Sequence, residues 1–508
     1  MSDTITRRDF IRAMAAGCAA LSVPQTLFAA DNPSAKRPNI LLITADDLNC
    51  DTVGVFGCKI PGITPNIDRL AAQGVRFTNA HVTIAVCQPS RSVLMTGRYP
   101  HRNGARGFEP IDPNVTTLQE RLRATGYLNG IMGKNTHILP LEKFCWDYYI
   151  TPDKLDEGRS PSLYYKHSKE FFEQAKTAGK PFFLMANSQD PHRPFAGSDA
   201  EMKQLGKHLP VTRTIAPKEA EVHPFLPDLP GVREELAQYY TSAHRCDETV
   251  GEVLRALDES GASDNTLVMF LSDNGMSMPF AKTNCYLAST RTPWIVRWPD
   301  KIKAGKDDST HFIGGIDFMP TIIEAAGLDK VDGMDGTSFV PLLTGLKQTG
   351  NGHGKVFTVF EETVARLQYP MRCVHAGIYG YIYNAWADGK AAFKSEAQGG
   401  LAYKAMAAST DPKVAGRVKM FVYRVPEELY DLESDPDCLV NLAEDPVCKN
   451  AKDGALASMR KLLLENMTQT NDPILPAFKA FLETGKQTWK PDEVVRRPRG
   501  KKARPVEE

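Results

Sequence analysis

Three apolar runs that stop abruptly at polar residues are the strongest constraint on how this 508-residue chain can fold. The runs span residues 39–43, 181–186 and 266–271, and Asp or Asn follows each of them within a few positions. Continuous apolar runs bounded by polar residues are typical of parallel strands that are buried on both faces of a sheet. We therefore expect a buried parallel strand at each of these places.

Helical patterns alternate with these runs. Apolar residues at helical spacing occupy 250–257, and Gly261 lies where such a helix should end. Thr117-Leu118-Gln119-Glu120 has the pattern of a capping box that opens another helix. Strands that alternate with helices predict an α/β fold with helices on both faces of a large, mostly parallel sheet. Ligands of such sheets bind beyond the carboxyl ends of the strands, so we expect the polar clusters there to converge.

The pattern changes beyond about residue 370. Short strand-like pieces at 376–379 and 419–423 are separated by polar loops, and Leu and Met at helical spacing follow over 456–463. We therefore predict a larger domain over 37–370 and a smaller C-terminal α+β subdomain over 371–485.

The two ends of the chain differ from the middle. Arg7-Arg8 precedes an apolar, Ala-rich stretch, so residues 1–30 are expected to be a twin-arginine (Tat-type) signal peptide, with a cytosolic amphipathic helix as the alternative. Such a signal would place the protein in the periplasm or outside a bacterium. No other stretch approaches the ~20 apolar residues that a membrane span needs. The last residues, 486–508, are rich in Lys and Arg and predict a disordered basic tail, with a polyanion-binding arm as the alternative.

Composition excludes several classes of protein. The chain is 42% hydrophobic, which argues against a wholly disordered chain. The 61 basic residues balance 61 acidic ones, so net charge gives no case for binding nucleic acid or an anionic membrane. None of the ten Cys forms a Cys-x-x-Cys pair, which argues against a zinc ribbon or a thioredoxin-type site.

The segment Cys87-Gln88-Pro89-Ser90-Arg91 carries the most chemical information. Pro89 fits the start of a helix, so Cys87 would lie near a helix N-terminus, where negative charge is stabilised. Arg91, four residues later, could reach the same place. On this chemistry alone, Cys87 could be a thiolate nucleophile, a metal ligand or a small buried apolar residue.

With the Leu-x-Thr-Gly that follows it, this segment resembles the signature of the type I sulfatases. In that family, a maturation enzyme oxidises the Cys to Cα-formylglycine, whose hydrate is the nucleophile. The resemblance extends from Arg37 to about Asp445 and implies an alkaline-phosphatase-like sandwich fold. It rests on further motifs in family order, namely Asp46-Asp47, 64–70, Gly133-Lys134, Asp190-Pro191-His192, 272–275 and 428–432.

The resemblance also implies a divalent metal ion. Its ligands would be Asp46, Asp47, Asp273, Asn274 and the modified Cys87. These oxygen donors suit a hard cation, for which we expect Ca²⁺, with Mg²⁺ as the alternative. Taken alone, each Asp/Asn pair could equally be a helix cap or a turn. The ion would bind the hydrate and a sulfate oxygen and acidify the attacking hydroxyl.

Five further residues would act in catalysis according to the resemblance. Arg91 and Lys134 would hold the hydrate and offset negative charge. His137 would be the base that deprotonates the second hydroxyl of the hydrate, expelling sulfate and regenerating the aldehyde. It follows Lys134 by three positions, whereas many family members have this His two positions after the Lys. His192 would donate the leaving-group proton, and Lys282 would bind the sulfate from the other side.

Two segments bear on the substrate. Residues 272–286 and 190–193 resemble the N-sulfoglucosamine sulfohydrolase branch of the family. That branch commonly has Arg where Lys282 stands, and the shorter Lys-to-His spacing. We expect a sulfatase that acts on a sulfated saccharide, first on N-sulfoglucosamine units, with O-sulfated glycosaminoglycan or algal polysaccharide as the alternative. Two alternative hypotheses come from other functional classes. One is a phosphate or phosphonate monoester hydrolase, and the other is a glycan-binding protein whose Cys87 is not converted.

Overall fold

The computed structural model describes residues 37–346 and 352–492. The signal peptide predicted over 1–30 and most of the tail predicted over 486–508 lie outside the described residues. The strands are β1 Asn39–Ala45, β2 Val75–Phe77, β3 Ala80–His81, β4 Leu128–Met132, β5 Tyr148–Ile150, β6 Phe182–Asn187, β7 Thr266–Ser272, β8 Trp294–Arg297, β9 Lys306–Asp308, β10 Ile313–Gly314, β11 Lys355–Glu362, β12 Gln368–Ala376, β13 Tyr379–Asn384 and β14 Glu427–Asp431.

Helices connect most of these strands. The α-helices are α1 Pro65–Ala72, α2 Cys87–Thr96, α3 Pro100–Asn103, α4 Leu118–Ala124, α5 Pro161–Ala178, α6 Asp199–Leu205, α7 Pro230–Glu259, α8 Leu287–Thr290, α9 Phe318–Ala325, α10 Val340–Thr344, α11 Leu401–Ala408, α12 Pro412–Tyr423, α13 Pro446–Asn450, α14 Ala455–Gln469 and α15 Leu475–Thr484. The 3₁₀ turns are Cys50–Thr52, Gly54–Phe56, Asn135–His137, Leu141–Phe144, Pro152–Leu155, Ser263–Asn265, Gly315–Asp317, Glu396–Gly399 and Leu442–Glu444. Within the described ranges, no helix has the length and apolar character to cross a membrane.

The large sheet has eight strands in the order β5-β4-β6-β1-β7-β8-β2-β9. Its central strands β4, β6, β1 and β7 are mutually parallel, and β8 runs antiparallel to both of its neighbours. The three apolar runs of the sequence are β1, β6 and β7, so the prediction of buried parallel strands is confirmed.

Both faces of this sheet are apolar because a separate core covers each face. Ile40 and Leu42 of β1 point into one core, which α4 and α9 cover, whereas Leu41 and Ile43 point into the other, which α1, α5 and α7 cover. Alternate side chains of a strand point to opposite faces, so a strand that is covered on both faces reads as a continuous apolar run. The predicted helix near 250 is the C-terminal half of α7, and the capping box at Thr117 opens α4.

The second sheet is smaller and wholly antiparallel, in the order β11-β12-β13-β14. One of its faces packs on α14 and α15, and the other packs on the segment that follows β7. This α+β unit begins at Lys355, so the boundary predicted after residue 370 falls inside β12.

Two strand predictions in this region are wrong. Residues 419–423 belong to α12, because Asp411 caps the helix, Pro412 opens it, and Val414 and Phe421 lie on its buried side. Short aromatic and β-branched runs do not separate strand from helix by themselves. Residues 376–379 span the turn between β12 and β13.

Candidate active site

The polar clusters predicted to converge do so at one edge of the large sheet. Asp46 and Asp47 follow β1, Lys134 follows β4, His192 follows β6 and Asp273 follows β7. Because these four strands are adjacent and parallel, their carboxyl ends meet at the same edge. The edge therefore gathers residues that are far apart in the sequence.

Cys87 reaches this edge from the first turn of α2. Val86 precedes the helix in an extended conformation, and Pro89 occupies the first turn, where its missing N–H costs nothing. Cys87 is buried, and one ligand atom from each of Asp46, Asp47, Cys87 and His192 lies within 4.8 Å of the others. Burial raises the pKa of the Cys87 thiol, so the unmodified side chain is a neutral thiol.

Arg91 lies one turn further along α2 and is fully buried. Its guanidinium donates to Thr44 Oγ1 at 2.8 Å, to Asn187 Oδ1 at 2.5 Å and to Asp273 Oδ2 at 2.7 Å. These contacts fix the start of α2 against the ends of β1, β6 and β7. Asn187 belongs to the polar cluster that ends the third apolar run and is expected at this edge, whereas Thr44 is a site residue that no sequence pattern indicated.

Two lysines face the acidic residues from opposite sides. Lys134 Nζ forms an ion pair with Asp46 Oδ2, and Lys282 Nζ lies 2.7 Å from Asp47 Oδ1. Lys282 also lies 2.5 Å from Glu396 Oε1. The structure thus places both predicted lysines in the site and adds a carboxylate, Glu396, that the sequence analysis did not identify.

The site has the donors that a divalent cation needs. Asp46 Oδ1 and Asn274 Oδ1 are buried and have no hydrogen-bond partner among the described residues, and Asn274 Nδ2 donates to Asp47 at 2.7 Å. Buried polar atoms without partners are costly, and a hard cation would satisfy both oxygens. The donor set therefore fits a divalent ion such as Ca²⁺ or Mg²⁺.

The charge balance leads to the same conclusion. Four carboxylates (three Asp and Glu396) face three cations (Arg91, Lys134 and Lys282), which leaves a formal charge of −1. A divalent ion would change this charge to +1. An anionic substrate is repelled by the first charge and attracted by the second.

Burial also shifts the pKa values of the paired groups. Burial raises the pKa of Asp47 to about 6, although the charge of Lys282 opposes this shift. Burial lowers the pKa of Lys134 to about 7. Burial acts in the same direction on Lys282, but Asp47 and Glu396 outweigh it and hold the pKa of Lys282 well above its ordinary value. The charges of the site therefore depend on one another.

His137 enters the site through a 3₁₀ turn. Lys134 has a left-handed backbone conformation, with φ of 53°, and the turn Asn135–His137 follows at once, with the His137 N–H donating to the Lys134 carbonyl at 3.0 Å. In a 3₁₀ turn, residues i and i+3 lie on the same side, so a spacing of three still brings both side chains into one pocket. His137 Nδ1 is buried and has no hydrogen-bond partner in the described chain.

His192 is held from behind by a buried ionic network. Asp190 accepts hydrogen bonds from Arg245 at 2.6 and 3.1 Å and from Arg159 at 3.3 Å, and Arg159 also donates to the His192 carbonyl. Burial, reinforced by the charge of Lys134, lowers the pKa of both His192 and His137 well below the ordinary value. Both imidazoles are therefore neutral in this structure.

A pocket of about 380 Å³ opens above these groups. The predicted residues Cys87, Lys134, His137, His192 and Lys282 line it. Its wall includes Phe108, Gln189, Val364 and Glu396, none of which the sequence analysis identified. The pocket therefore brings Cys87, two lysines and two imidazoles together beside a cluster of acidic residues.

Comparison with known proteins agrees with this geometry. The sulfatase family model matches residues 38–328. The chain is 28% identical to human N-sulphoglucosamine sulphohydrolase, covering 88% of this chain and 93% of that protein. It is 30% identical to an ulvan-active sulfatase of Formosa agariphila, covering 84% of this chain and 79% of that protein.

A solved structure gives the same fold. It was determined in complex with its substrate D-glucosamine-2-N,6-O-disulfate and superposes with a TM-score of 0.64 at 19% identity, covering 86% of this chain and 99% of the other. This likeness confirms the expected alkaline-phosphatase-like architecture, a large mostly parallel sheet with a smaller C-terminal sheet. The match of the family model over more than half of the chain and the 30% identical relative show that this chain belongs to the sulfatase family and is a hydrolase of that family.

Proposed function

We propose that this chain removes sulfate from a sulfated glycan, acting first on N-sulfoglucosamine units, with formylglycine generated from Cys87 and one divalent ion, Ca²⁺ in the first place. The observation that carries the proposal is the single pocket that Cys87, Lys134, His137, His192 and Lys282 line beside the acidic cluster. The similarity to human N-sulphoglucosamine sulphohydrolase over nearly the whole of both chains supports the substrate.

Two groups would complete the site. A formylglycine hydrate at position 87 would supply the attacking hydroxyl, in place of a thiol that burial keeps protonated. A divalent ion held by Asp46, Asp47, Asp273 and Asn274 would supply the positive charge that draws a sulfate into the pocket.

The residues of the chain have distinct tasks in this proposal. Lys134 would hold the hydrate at position 87, and Lys282 would bind the sulfate from the other side. Arg91, for which the resemblance implies the same task as for Lys134, also keeps the start of α2 aligned with the strand ends. His137 has a free, buried Nδ1 in the described chain and accepts a proton from residue 87. His192 Nδ1 donates to the Arg193 carbonyl, so His192 must gain a proton on its other ring nitrogen before it can protonate the leaving atom. An anion bound beside these neutral imidazoles would raise their pKa values and favour that proton transfer.

The nature of the leaving atom separates the two substrate candidates. In N-sulfoglucosamine the leaving atom is nitrogen, whereas in O-sulfated sugars it is oxygen. The ulvan-active relative favours the second candidate, as does Lys282, which stands where the N-sulfatase branch commonly has Arg. One unpaired hydrogen bond is worth about 1–3 kcal/mol, so the choice depends on a small difference in the pocket.

The test is sulfate release from three substrates by matured protein. N-sulfoglucosamine, glucosamine 6-sulfate and an ulvan oligosaccharide are compared, after peptide mass has verified formylglycine at position 87. Release from N-sulfoglucosamine with the highest kcat/KM supports the proposal. Release from an O-sulfated substrate alone contradicts the N-sulfate assignment. A phosphate monoester is assayed alongside by phosphate release, and a higher kcat/KM for it than for every sulfated substrate contradicts the sulfatase proposal.

We also propose that the protein is exported through the twin-arginine route. The Arg7-Arg8 pair before an Ala-rich stretch supports this proposal. Replacing both arginines by Lys should retain the full-length precursor in the cytoplasm. Unchanged export of the double variant would contradict it.

A further inference from the structure

Glu396 is a carboxylate on the wall of a pocket that otherwise presents cations and imidazoles. It is the first residue of the turn Glu396–Gly399, far in sequence from the motifs that build the rest of the site. Its side chain is 34% exposed, and that exposure faces the same pocket as Cys87 and Lys282. A negative charge beside the proposed sulfate-binding position would repel the sulfate, so its presence calls for a physical explanation.

Several contacts hold Glu396 in place. Its Oε1 lies 2.5 Å from Lys282 Nζ and accepts a hydrogen bond from Ser277 Oγ at 3.3 Å. Arg193 donates to its backbone carbonyl at 3.2 Å. Burial opposes the charge on this carboxyl, but Lys282 and Arg193 outweigh burial and keep the pKa of Glu396 below its ordinary value. Glu396 is therefore a fixed, ionised acceptor.

Balancing the charge of Lys282 does not account for this placement. Asp47 already lies within 2.7 Å of the same ammonium group. A second, partly exposed carboxylate adds an acceptor that faces the bound molecule. Such a group attracts hydroxyl and amino hydrogens and repels any further anion in the same small space.

We propose that Glu396 is a specificity residue, which accepts a hydrogen bond from a hydroxyl or amino group of the sugar and excludes sugars that carry a second sulfate beside the one to be removed. This inference rests on the proposed function of the same pocket. The pocket of about 380 Å³ is at the small end of the range for ligand sites, and Glu396 lines it beside Lys282, so a second sulfate that enters the pocket meets this negative charge.

The test measures binding in protein that cannot turn over. Calorimetry with the Ca²⁺-loaded Cys87→Ala protein compares N-sulfoglucosamine and glucosamine 6-sulfate with glucosamine-2-N,6-O-disulfate. The disulfate carries both groups, so it is the matched competitor for either monosulfated sugar. We expect the preferred monosulfated sugar to bind at least about tenfold more tightly than the disulfate, a preference that an added Glu396→Gln should reduce to less than about threefold.

Three control variants separate specificity from structure. Glu396→Asp should retain the preference because it retains the charge. Glu465→Gln, which removes one charge from an exposed position of α14, should leave the preference unchanged. Thermal melting of each variant verifies that it folds. If the Glu396→Gln protein does not fold, the same binding comparison is made with Glu396→Ala and Glu396→Asp.

Each outcome has a distinct meaning. If Glu396→Gln weakens both sugars by the same factor, the preference is intact and Glu396 only positions Lys282, which overturns the inference but not the proposed function. If the Cys87→Ala protein binds neither monosulfated sugar nor the disulfate, the proposed substrate is contradicted, and the inference with it.

Discussion

The two sheets of this protein contribute to the pocket in different ways. The large parallel sheet delivers its residues from strand ends that meet at one edge, so Asp46, Lys134, His192 and Asp273 are placed by the sheet itself. The small antiparallel sheet contributes wall residues only, namely Thr363 and Val364 in the loop that follows β11. Glu396, from the turn before α11, also lies in this wall. We therefore expect catalysis to depend on residues of the large sheet and substrate selection to depend on the smaller unit.

The largest effect is expected at the nucleophile. Cys87→Ala should reduce sulfate release by at least about 10⁴-fold, because the attacking group is lost, while the melting temperature changes little. Cys448→Ser, a change at a half-buried Cys of the smaller unit, is the matched control and should retain activity. Ion chromatography of released sulfate gives the measurement, and substantial turnover by Cys87→Ala would refute the mechanism.

Removal of the divalent ion should cause the second-largest loss of activity. Dialysis against a chelator should lower activity by about 10³-fold, because the formal charge of the site becomes −1 and several kcal/mol of transition-state stabilisation are lost. Added Ca²⁺ at a hundredfold excess over its Kd should restore activity and stabilise the fold by about 2–3 kcal/mol. If chelation changes neither the activity nor the melting temperature, the proposed metal site is contradicted.

His137 tests the three-residue spacing. His137→Ala should lower kcat by about 10²–10³-fold, because proton transfer at residue 87 loses its base, with a smaller change in KM. His311→Ala, at a half-buried position that does not line the pocket, is the control. Steady-state kinetics on the preferred sugar provide the check, and an unchanged kcat would show that His137 is only a neighbour of the site.

The smallest effect on chemistry is expected in the core of the small unit. Phe478 is fully buried, and the centroid of its ring lies 4.8 Å from the centroid of the Tyr383 ring. Phe478→Ala should lower the free energy of unfolding by about 3–5 kcal/mol through the cavity it leaves, while kcat of the folded protein stays within about twofold. Denaturant titration and kinetics on the same preparation provide the test. A large loss of kcat would show that the two units are not separate in function.

The sequence predicted the parts of the molecule that rest on local pattern. The strands β1, β6 and β7 could be predicted because both of their faces are buried, which gives continuous apolar runs. The pairs Asp46-Asp47 and Asp273-Asn274 could be located because they directly follow β1 and β7. The pattern at 419–423 predicts a strand where the structure has helix α12, because a short aromatic run does not distinguish the period of a strand from that of a helix. The helix depends on its cap and on packing against the rest of the chain.

Long-range contacts account for what the sequence could not predict in the site. Glu396 reaches Lys282 only because α11 packs on α7, where Ala402 N–H donates to Glu235 and Arg193 pairs with the same carboxylate. Asn187 gains its role from Arg91, which lies nearly a hundred residues away. Neither relation leaves a pattern in the neighbouring sequence. The resemblance to a family identified the shared motifs, whereas residues outside those motifs required the structure.

We propose that residue 87, as formylglycine, is the nucleophile of this pocket. The most direct measurement prepares the protein with and without a co-expressed formylglycine-generating enzyme, quantifies the residue-87 peptide by mass, and plots specific activity against the converted fraction. We predict a straight line through the origin, with no sulfate release from protein that retains the Cys87 thiol. Full activity in protein whose residue 87 is an intact cysteine would contradict the account.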